Sequence, residues 1–176
     1  MAERHETIVR APAALVFDVA QHFDMQSIPI VRAIFRLRAL LLRSHSPGAW
    51  RGGPGLVAET AAMGWGTLVS EPGRLFIAGA VTQPWMADVT FTPVPPDLFA
   101  AYAQPDMVKI VWTLEVEALG PALTRFRTET RVTATDEGAR RKFRRYWRIF
   151  GIGILMIRWL LIPAVRREAE RRRRRG

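Results

Sequence analysis

Two adjacent segments of the chain alternate between apolar and polar residues. In Met107–Glu117 and in Leu123–Thr135, every second residue is apolar or a threonine, and most residues between them are charged or polar. A period of two residues is typical of a strand that buries one face. Gly120-Pro121 favours a turn between the segments. The pattern predicts a hairpin with this inward face: Val108, Ile110, Trp112, Leu114, Val116, Phe126, Thr128, Thr130, Val132 and Ala134.

Shorter strands are predicted before this hairpin. Pro72-Gly73 suits a type II turn, because proline presets one φ angle and glycine supplies the positive one. We therefore expect a second hairpin formed by Glu59–Glu71 and Arg74–Gln83. Two further strands are predicted at Glu6–Arg10 and at Ala87–Thr92.

Helical spacing marks three other segments. Ala13–Ala20 and Ile30–Arg43 predict short helices, and Asp136 is a suitable N-cap for a long terminal one. Past Ile149 this last helix is apolar nearly all round, so we expect something besides the sheet to cover its second half. Pro163 is expected to kink or end it. The second helix is expected to bury Ile30, Ile34, Leu37 and Leu41. The terminal helix is expected to bury Phe143, Trp147, Phe150, Ile154, Ile157, Leu161 and Val165.

Composition narrows the chemistry. A chain of 176 residues is expected to form one domain. It has no cysteine, which excludes disulfides, thiolate catalysis and Cys-ligated metals, and its three histidines are not spaced as a metal site. We therefore predict no metal and no other cofactor. The first residues lack the apolar stretch of a secretory signal, which predicts a cytoplasmic protein.

The positive charge is confined to the C-terminal element. Residues 137–176 contain 14 basic and three acidic residues, whereas residues 1–136 contain 12 basic and 13 acidic ones. The basic run lacks interleaved aromatic residues and a nucleic-acid-reading module, so nucleic acid is not the expected partner. We predict a domain over 1–165 and a basic tail over 166–176, which either is a solvated helix end or contacts an anionic membrane peripherally. The residues assigned to this contact are Arg166, Arg167, Arg171, Arg172, Arg173, Arg174 and Arg175.

The order of elements and three motifs carry a family resemblance. Ile8-Val9-Arg10-Ala11-Pro12, followed by Val16-Phe17, resembles the START-like superfamily, also called SRPBCC. Thr128-Glu129-Thr130-Arg131-Val132 and Phe143-Arg144-Arg145-Tyr146-Trp147 are similar to a bacterial branch of it. The resemblance implies an α+β helix-grip fold. In this fold a twisted antiparallel sheet wraps around a long C-terminal helix, and two short helices follow the first strand.

The same resemblance implies a cavity between the sheet and the terminal helix, used across the superfamily for lipids, sterols and polyketides. We therefore predict a carrier or sensor of a hydrophobic small molecule. Thr128 and Thr130 are informative, because a buried hydroxyl needs a hydrogen-bond partner or water. The alternative is that the predicted wall residues fill a packed core. The predicted walls are Phe76, Phe91, Ile110, Trp112, Leu114, Phe126, Thr128, Thr130, Trp147 and Ile154.

Two other functions stay open. A cyclase or dehydratase-type enzyme would need an acid or base beside the ligand. Asp18 and His22 lie one helical turn apart, either as a dyad or as a solvated helix end. The sequence contains no nucleophile elbow, phosphate loop or metal spacing, so no catalytic residue is assigned. A histidine or carboxylate projecting into the cavity would favour the enzyme. The other function is a membrane-peripheral module without a ligand.

A transmembrane anchor is the alternative reading of the terminal helix. Ile149–Val165 has 17 residues and one charge, Arg158. Its helical length of about 25 Å is shorter than a hydrocarbon core of about 30 Å. An arginine near the centre of a span costs about 2.5–3.5 kcal/mol. We therefore favour a buried helix over an anchor or an oligomer interface, and expect Arg158 to be paired or to reach water.

Overall fold

A computed structural model describes residues 1–43 and 55–175. Its α-helices and strands, in chain order, are β1 (Ala2–Val9), α1 (Ala13–Gln21), α2 (Pro29–Leu41), α3 (Leu56–Ala62), β2 (Gly66–Glu71), β3 (Leu75–Thr82), β4 (Phe91–Thr92), α4 (Pro96–Phe99), β5 (Val108–Gly120), β6 (Leu123–Ala134) and α5 (Glu137–Arg173).

The strands form one twisted antiparallel sheet. Helices α5 and α1 pack across its inner face, and α2 packs against α5. The strand order is β1-β6-β5-β3-β2, with β4 paired to β3. The predicted α+β class, with an antiparallel sheet and a long C-terminal helix, is confirmed.

The β5–β6 hairpin has the predicted faces. Leu114, Phe126 and Thr128 are buried on the inward side. On the outward side, Arg127 forms ion pairs with Glu115 at 3.0 Å and with Glu6 at 3.3 Å. These pairs join three adjacent strands across the solvent face, where each pair contributes a few tenths of a kcal/mol.

Three strand predictions before β5 had the wrong bounds. The first strand begins at Ala2 rather than Glu6, because its polar residues pair in register with β6 along their full length. The strand predicted from Glu59 begins at Gly66, and the residues before it form α3. The strand predicted at Ala87–Thr92 is reduced to β4.

The buried face of α2 differs from the predicted one. Val31 is buried, and Ile34 and Phe35 pack against the core. Ile30 and Leu37, both predicted to be buried, are exposed, and so is Leu41. Apolar residues occur nearly all round this helix, so periodicity alone does not select one side.

Helix α5 confirms its predicted cap and inner stripe. The Asp136 carboxylate accepts a hydrogen bond from the backbone N–H of Ala139 at 2.8 Å. The helix continues through Pro163, so it does not end there; burial of Leu161 and Val165 on either side holds this turn against the core. The side chain of Arg158 lies outside the described part of the structure, and its pairing stays a prediction.

The second half of α5 was expected to be buried on all sides, but one face of it is exposed. Among the described residues, Ile149, Ile152, Met156 and Trp159 remain exposed on the side away from the sheet. The second half of α5 therefore has more apolar surface than the described part of the fold buries.

We expect Asp136→Ala to lower the melting temperature by a few degrees at neutral pH, because it removes the cap of α5. Backbone hydrogen bonds, first from Asp106 and then from Ala139, hold the pKa of Asp136 below its usual range. A depressed pKa contributes stability that is present above the unfolded-state pKa and lost as pH falls through the folded-state value. The difference between wild type and variant should therefore shrink below about pH 3.9.

Thermal melts followed by circular dichroism across this pH range would measure the effect. Asp97→Ala is the matched control, because Asp97 lies in the first turn of α4, whose N-cap is Pro95 and which has no side-chain cap bond. Equal effects of the two substitutions would contradict the capping role.

Candidate ligand site between the sheet and the terminal helix

The apolar layer between the sheet and its helices is divided into two clusters. The first contains Leu114 and Phe126 of the sheet with Ile157 of α5. The second contains Val132 of the sheet with Phe143 of α5. On β5, Trp112 packs against the first cluster and Ile110 against the second. We call the boundary between the clusters the seam.

The seam residues are less buried than the clusters on either side. Ile110, Trp112, Thr130 and Ile154 are all partly exposed. Thr130 lies on β6 between Thr128 and Val132, so a hydroxyl interrupts the apolar face at this boundary. The seam thus combines apolar walls with a polar residue, as small-molecule sites do.

The indole of Trp112 is fixed by a hydrogen-bond chain. Its Nε1–H donates to Thr128 Oγ1 at 3.0 Å, and the Thr128 hydroxyl donates to the Thr113 carbonyl at 2.8 Å. Phe76 packs edge-on against the indole, with ring centroids 5.9 Å apart. The Thr128 hydroxyl therefore has its partners within the sheet, and the ring is held at one orientation beside the seam.

Two polar residues that the sequence analysis did not assign share this face. His5 pairs directly opposite Thr128, and Glu3 directly opposite Thr130. Directly opposite residues of an antiparallel pair project on the same side of a sheet. His5 Nε2 is buried. Their neighbours Arg4 and Glu6 are polar as well, so no local sequence signal separates the inward from the outward residues of β1.

The other predicted wall residues lie in different surroundings. Phe76 borders an open cleft of ≈ 350 Å³ that Phe17 and Val57 also line. Trp147 stacks on Phe143, with ring centroids 5.9 Å apart. Phe91 lies on β4 at the sheet edge, where its ring packs against Trp65. The structure therefore brings Ile110, Trp112, Thr128, Thr130 and Ile154 to the seam and places Phe91 elsewhere.

Asp18 and His22 meet at the surface. His22 Nδ1 lies 3.1 Å from Asp18 Oδ1, and about half of each side chain is exposed. Asp18 is also 3.5 Å from a guanidinium nitrogen of Arg172. Such exposure matches the solvated helix end better than a catalytic dyad. Within residues 1–43 and 55–175, no group of three or more acidic or histidine side chains is placed to hold a metal ion.

The predicted membrane-contact arginines continue α5 and fall into two groups. Arg166 pairs with Glu170 at 3.1 Å, and Arg171 and Arg172 pair with Glu168 at 2.5 and 2.9 Å. Hydrogen bonding, first from Arg172, holds the pKa of Glu168 below its usual range. Within the described part of the chain, the remaining arginines have no ion pair. They are Arg167, Arg173, Arg174 and Arg175.

Comparison with known proteins matches no family and finds a loosely similar solved structure. No protein-family model and no curated protein matches the chain. Among solved structures, the chain is similar to the Zhui aromatase/cyclase from Streptomyces sp. R1128. The two are 13% identical over 98% of this chain and 94% of that one, with a TM-score of 0.31. A superposition this loose transfers neither fold nor function.

We expect Thr128→Val to lower the free energy of unfolding by about 1–3 kcal/mol, because it leaves the Trp112 N–H and the Thr113 carbonyl without their hydroxyl partner. Thr133→Val, on the exposed face of the same strand, is the control and should change stability by less than about 0.5 kcal/mol. Urea unfolding followed by tryptophan fluorescence measures both. Equal stability of the two variants would contradict the hydrogen-bond chain.

Proposed function

We propose that the protein binds a hydrophobic small molecule, as a carrier or sensor, in the layer between the sheet and α5. The observation that supports this proposal is the seam. There, polar residues of β1 and β6 lie beside half-buried Trp112, and half-buried Ile154 packs against the second apolar cluster. Apolar walls would hold the body of the ligand, and the few polar groups would orient it.

The polar row suggests an amphiphilic ligand. Glu3, His5, Thr128 and Thr130 occupy consecutive inward positions of two paired strands. They can place hydrogen-bonding groups at one end of a bound molecule, while Ile110 and Trp112 contact its apolar part. A lipid, sterol or polyketide-like molecule fits this division, and the START-like resemblance of the sequence supports the same class.

One observation favours an enzyme as the second candidate. The inward face carries a histidine and a carboxylate, His5 and Glu3, which is the feature that separates an acid–base catalyst from a simple binder. A histidine titrates near neutral pH and can transfer a proton to a ligand within hydrogen-bond reach. In this function His5 would be the acid or base.

We also propose a cytoplasmic protein that contacts an anionic membrane through its C-terminal arginines. Of the described helices, α5 is long and apolar enough to cross a membrane, a criterion that core helices also meet. Ile157, Leu161 and Val165 of the same helix are buried in the core, which supports peripheral contact over insertion.

We expect Ile154→Trp to weaken binding of a fluorescent fatty acid by about tenfold or more, equivalent to roughly 1.4 kcal/mol, because the larger ring fills the seam. Ile152→Trp is the matched control, because Ile152 lies two residues away on the exposed face. Native mass spectrometry of the purified chain should detect a bound lipid that the Ile154 variant lacks.

Three outcomes decide between the functions. Absence of any bound or binding apolar molecule, or equal binding by the two tryptophan variants, would overturn the proposal. A ligand whose mass changes on incubation with the wild type, but not with His5→Gln, would replace the binder with the enzyme.

The arginine contact predicts salt-sensitive binding to vesicles that contain phosphatidylglycerol. Replacing Arg173, Arg174 and Arg175 with glutamine should weaken it by at most about fivefold per residue. Lysine at the same positions keeps the charge and should preserve binding. Co-sedimentation at low and high salt measures this, and a glutamine variant that binds like the lysine variant would contradict the electrostatic contact.

A further inference from the structure

The outward face of α5 carries four large apolar side chains in solvent. Ile149, Ile152, Met156 and Trp159 are three or four residues apart, so they lie on one face of the helix. Ile152 is 70% exposed and Trp159 64% exposed. Single exposed apolar residues are ordinary, but a continuous row of them marks an interaction surface.

Basic residues bound this row at both ends. Arg145 lies one turn before Ile149, and Arg167 one turn after the exposed Pro163. No acidic residue occurs between Gly138 and Arg167. We call this surface the docking stripe, defined as Arg145, Ile149, Ile152, Met156, Trp159, Pro163 and Arg167.

Helix α2 extends the surface. A Cβ atom at Gly153 would lie 3.1 Å from Ile34 Cγ2, so α2 contacts α5 beside the middle of the docking stripe. Beyond this contact α2 exposes Leu37, Leu40 and Leu41, with Leu40 74% exposed. This helix also contains arginines and no acidic residue. Along α2 and along residues 138–167 of α5, the exposed apolar side chains are therefore accompanied by positive charge only.

We propose that the docking stripe, with the exposed leucines of α2, inserts shallowly into the surface of an anionic lipid bilayer. Apolar residues on one face and arginines at the ends are the features of helices that lie in the membrane interface. Trp159 suits the headgroup level, where tryptophan is enriched. Arg145 and Arg167 reach the lipid phosphates, and the apolar side chains enter the boundary of the acyl chains.

The charges favour an anionic bilayer over the other occupants. Two copies paired through the docking stripe would place arginine against arginine in either orientation, because both ends are basic. A protein partner would need acids about 33 Å apart, at the two ends of an apolar ridge about 21 Å long. An anionic bilayer supplies both features everywhere on its surface. The docking stripe is also distinct from the arginines after Ala169, and its role does not depend on a ligand at the seam.

The test is co-sedimentation of the full chain with vesicles of phosphatidylcholine alone or mixed with phosphatidylglycerol. Combining Ile152→Glu with Trp159→Glu should weaken binding to the mixed vesicles by about tenfold or more. Leu98→Glu with Met86→Glu is the matched control. It makes the same charge change at exposed apolar residues outside α2 and α5, and should weaken binding by less than about threefold.

A spectroscopic readout locates the contact. Tryptophan emission of the wild type should shift to shorter wavelength when vesicles are added, because Trp159 leaves water. Trp159→Phe should bind the vesicles as the wild type does and lose most of this shift. Circular dichroism of each variant without vesicles confirms that the fold is kept.

The proposal would be overturned by no vesicle binding, by equal binding of the docking-stripe and control variants, or by equal binding to the two vesicle types. It would also be overturned by a wild-type oligomer that dissociates when Ile152 and Trp159 are replaced by glutamate. The last result would assign the surface to a second copy of the chain. Extraction only by detergent would assign α5 to a membrane span instead.

Discussion

Burial of one face of α5 against the inner face of the sheet is the contact on which the rest of the structure depends. Each large side chain of that face contributes about 1.5–3 kcal/mol when it is fully removed from water. The helix also ties the two ends of the chain together, because Glu170 accepts a hydrogen bond from the Arg10 backbone N–H at 3.1 Å and Ala169 is fully buried. That hydrogen bond is the main cause holding the pKa of Glu170 below its usual range. The first strand and the last helix therefore stabilise each other.

The sequence predicts the parts of the fold in which one period dominates. On β5 and β6 the outward residues are charged, so a shift by one residue would bury several charges, and the register is strongly determined. Along α5 the inner stripe is continuous, and Asp136 marks its start. The prediction fails on α2. Apolar residues occur on nearly every side of this helix, so their spacing does not single out one buried face. Tertiary contacts then select Val31, Ile34 and Phe35 as the buried face.

The candidate site was predictable on β5 and β6 and missed on β1. The charged start of the chain resembles a solvated terminus, and only pairing with β6 shows that Glu3 and His5 project inward. No local pattern reveals this, because inward and outward residues of β1 are both polar. Phe91 was predicted as a wall because the alternation of its segment turns it inward; it lies on β4 at the sheet edge, where its ring packs against Trp65.

The seam and the docking stripe lie on different sides of α5, only one helix diameter apart. Ile154 faces the seam, while Ile152 and Met156, its neighbours two residues away, belong to the docking stripe. A helix is about 10 Å across, so a bilayer against the docking stripe would lie about one helix diameter from the seam. Under the two proposals, a ligand passing between the bilayer and the seam would travel about one helix diameter. Gly153 lies beside Ile34 of α2, and both helices expose apolar side chains within about two turns of this contact.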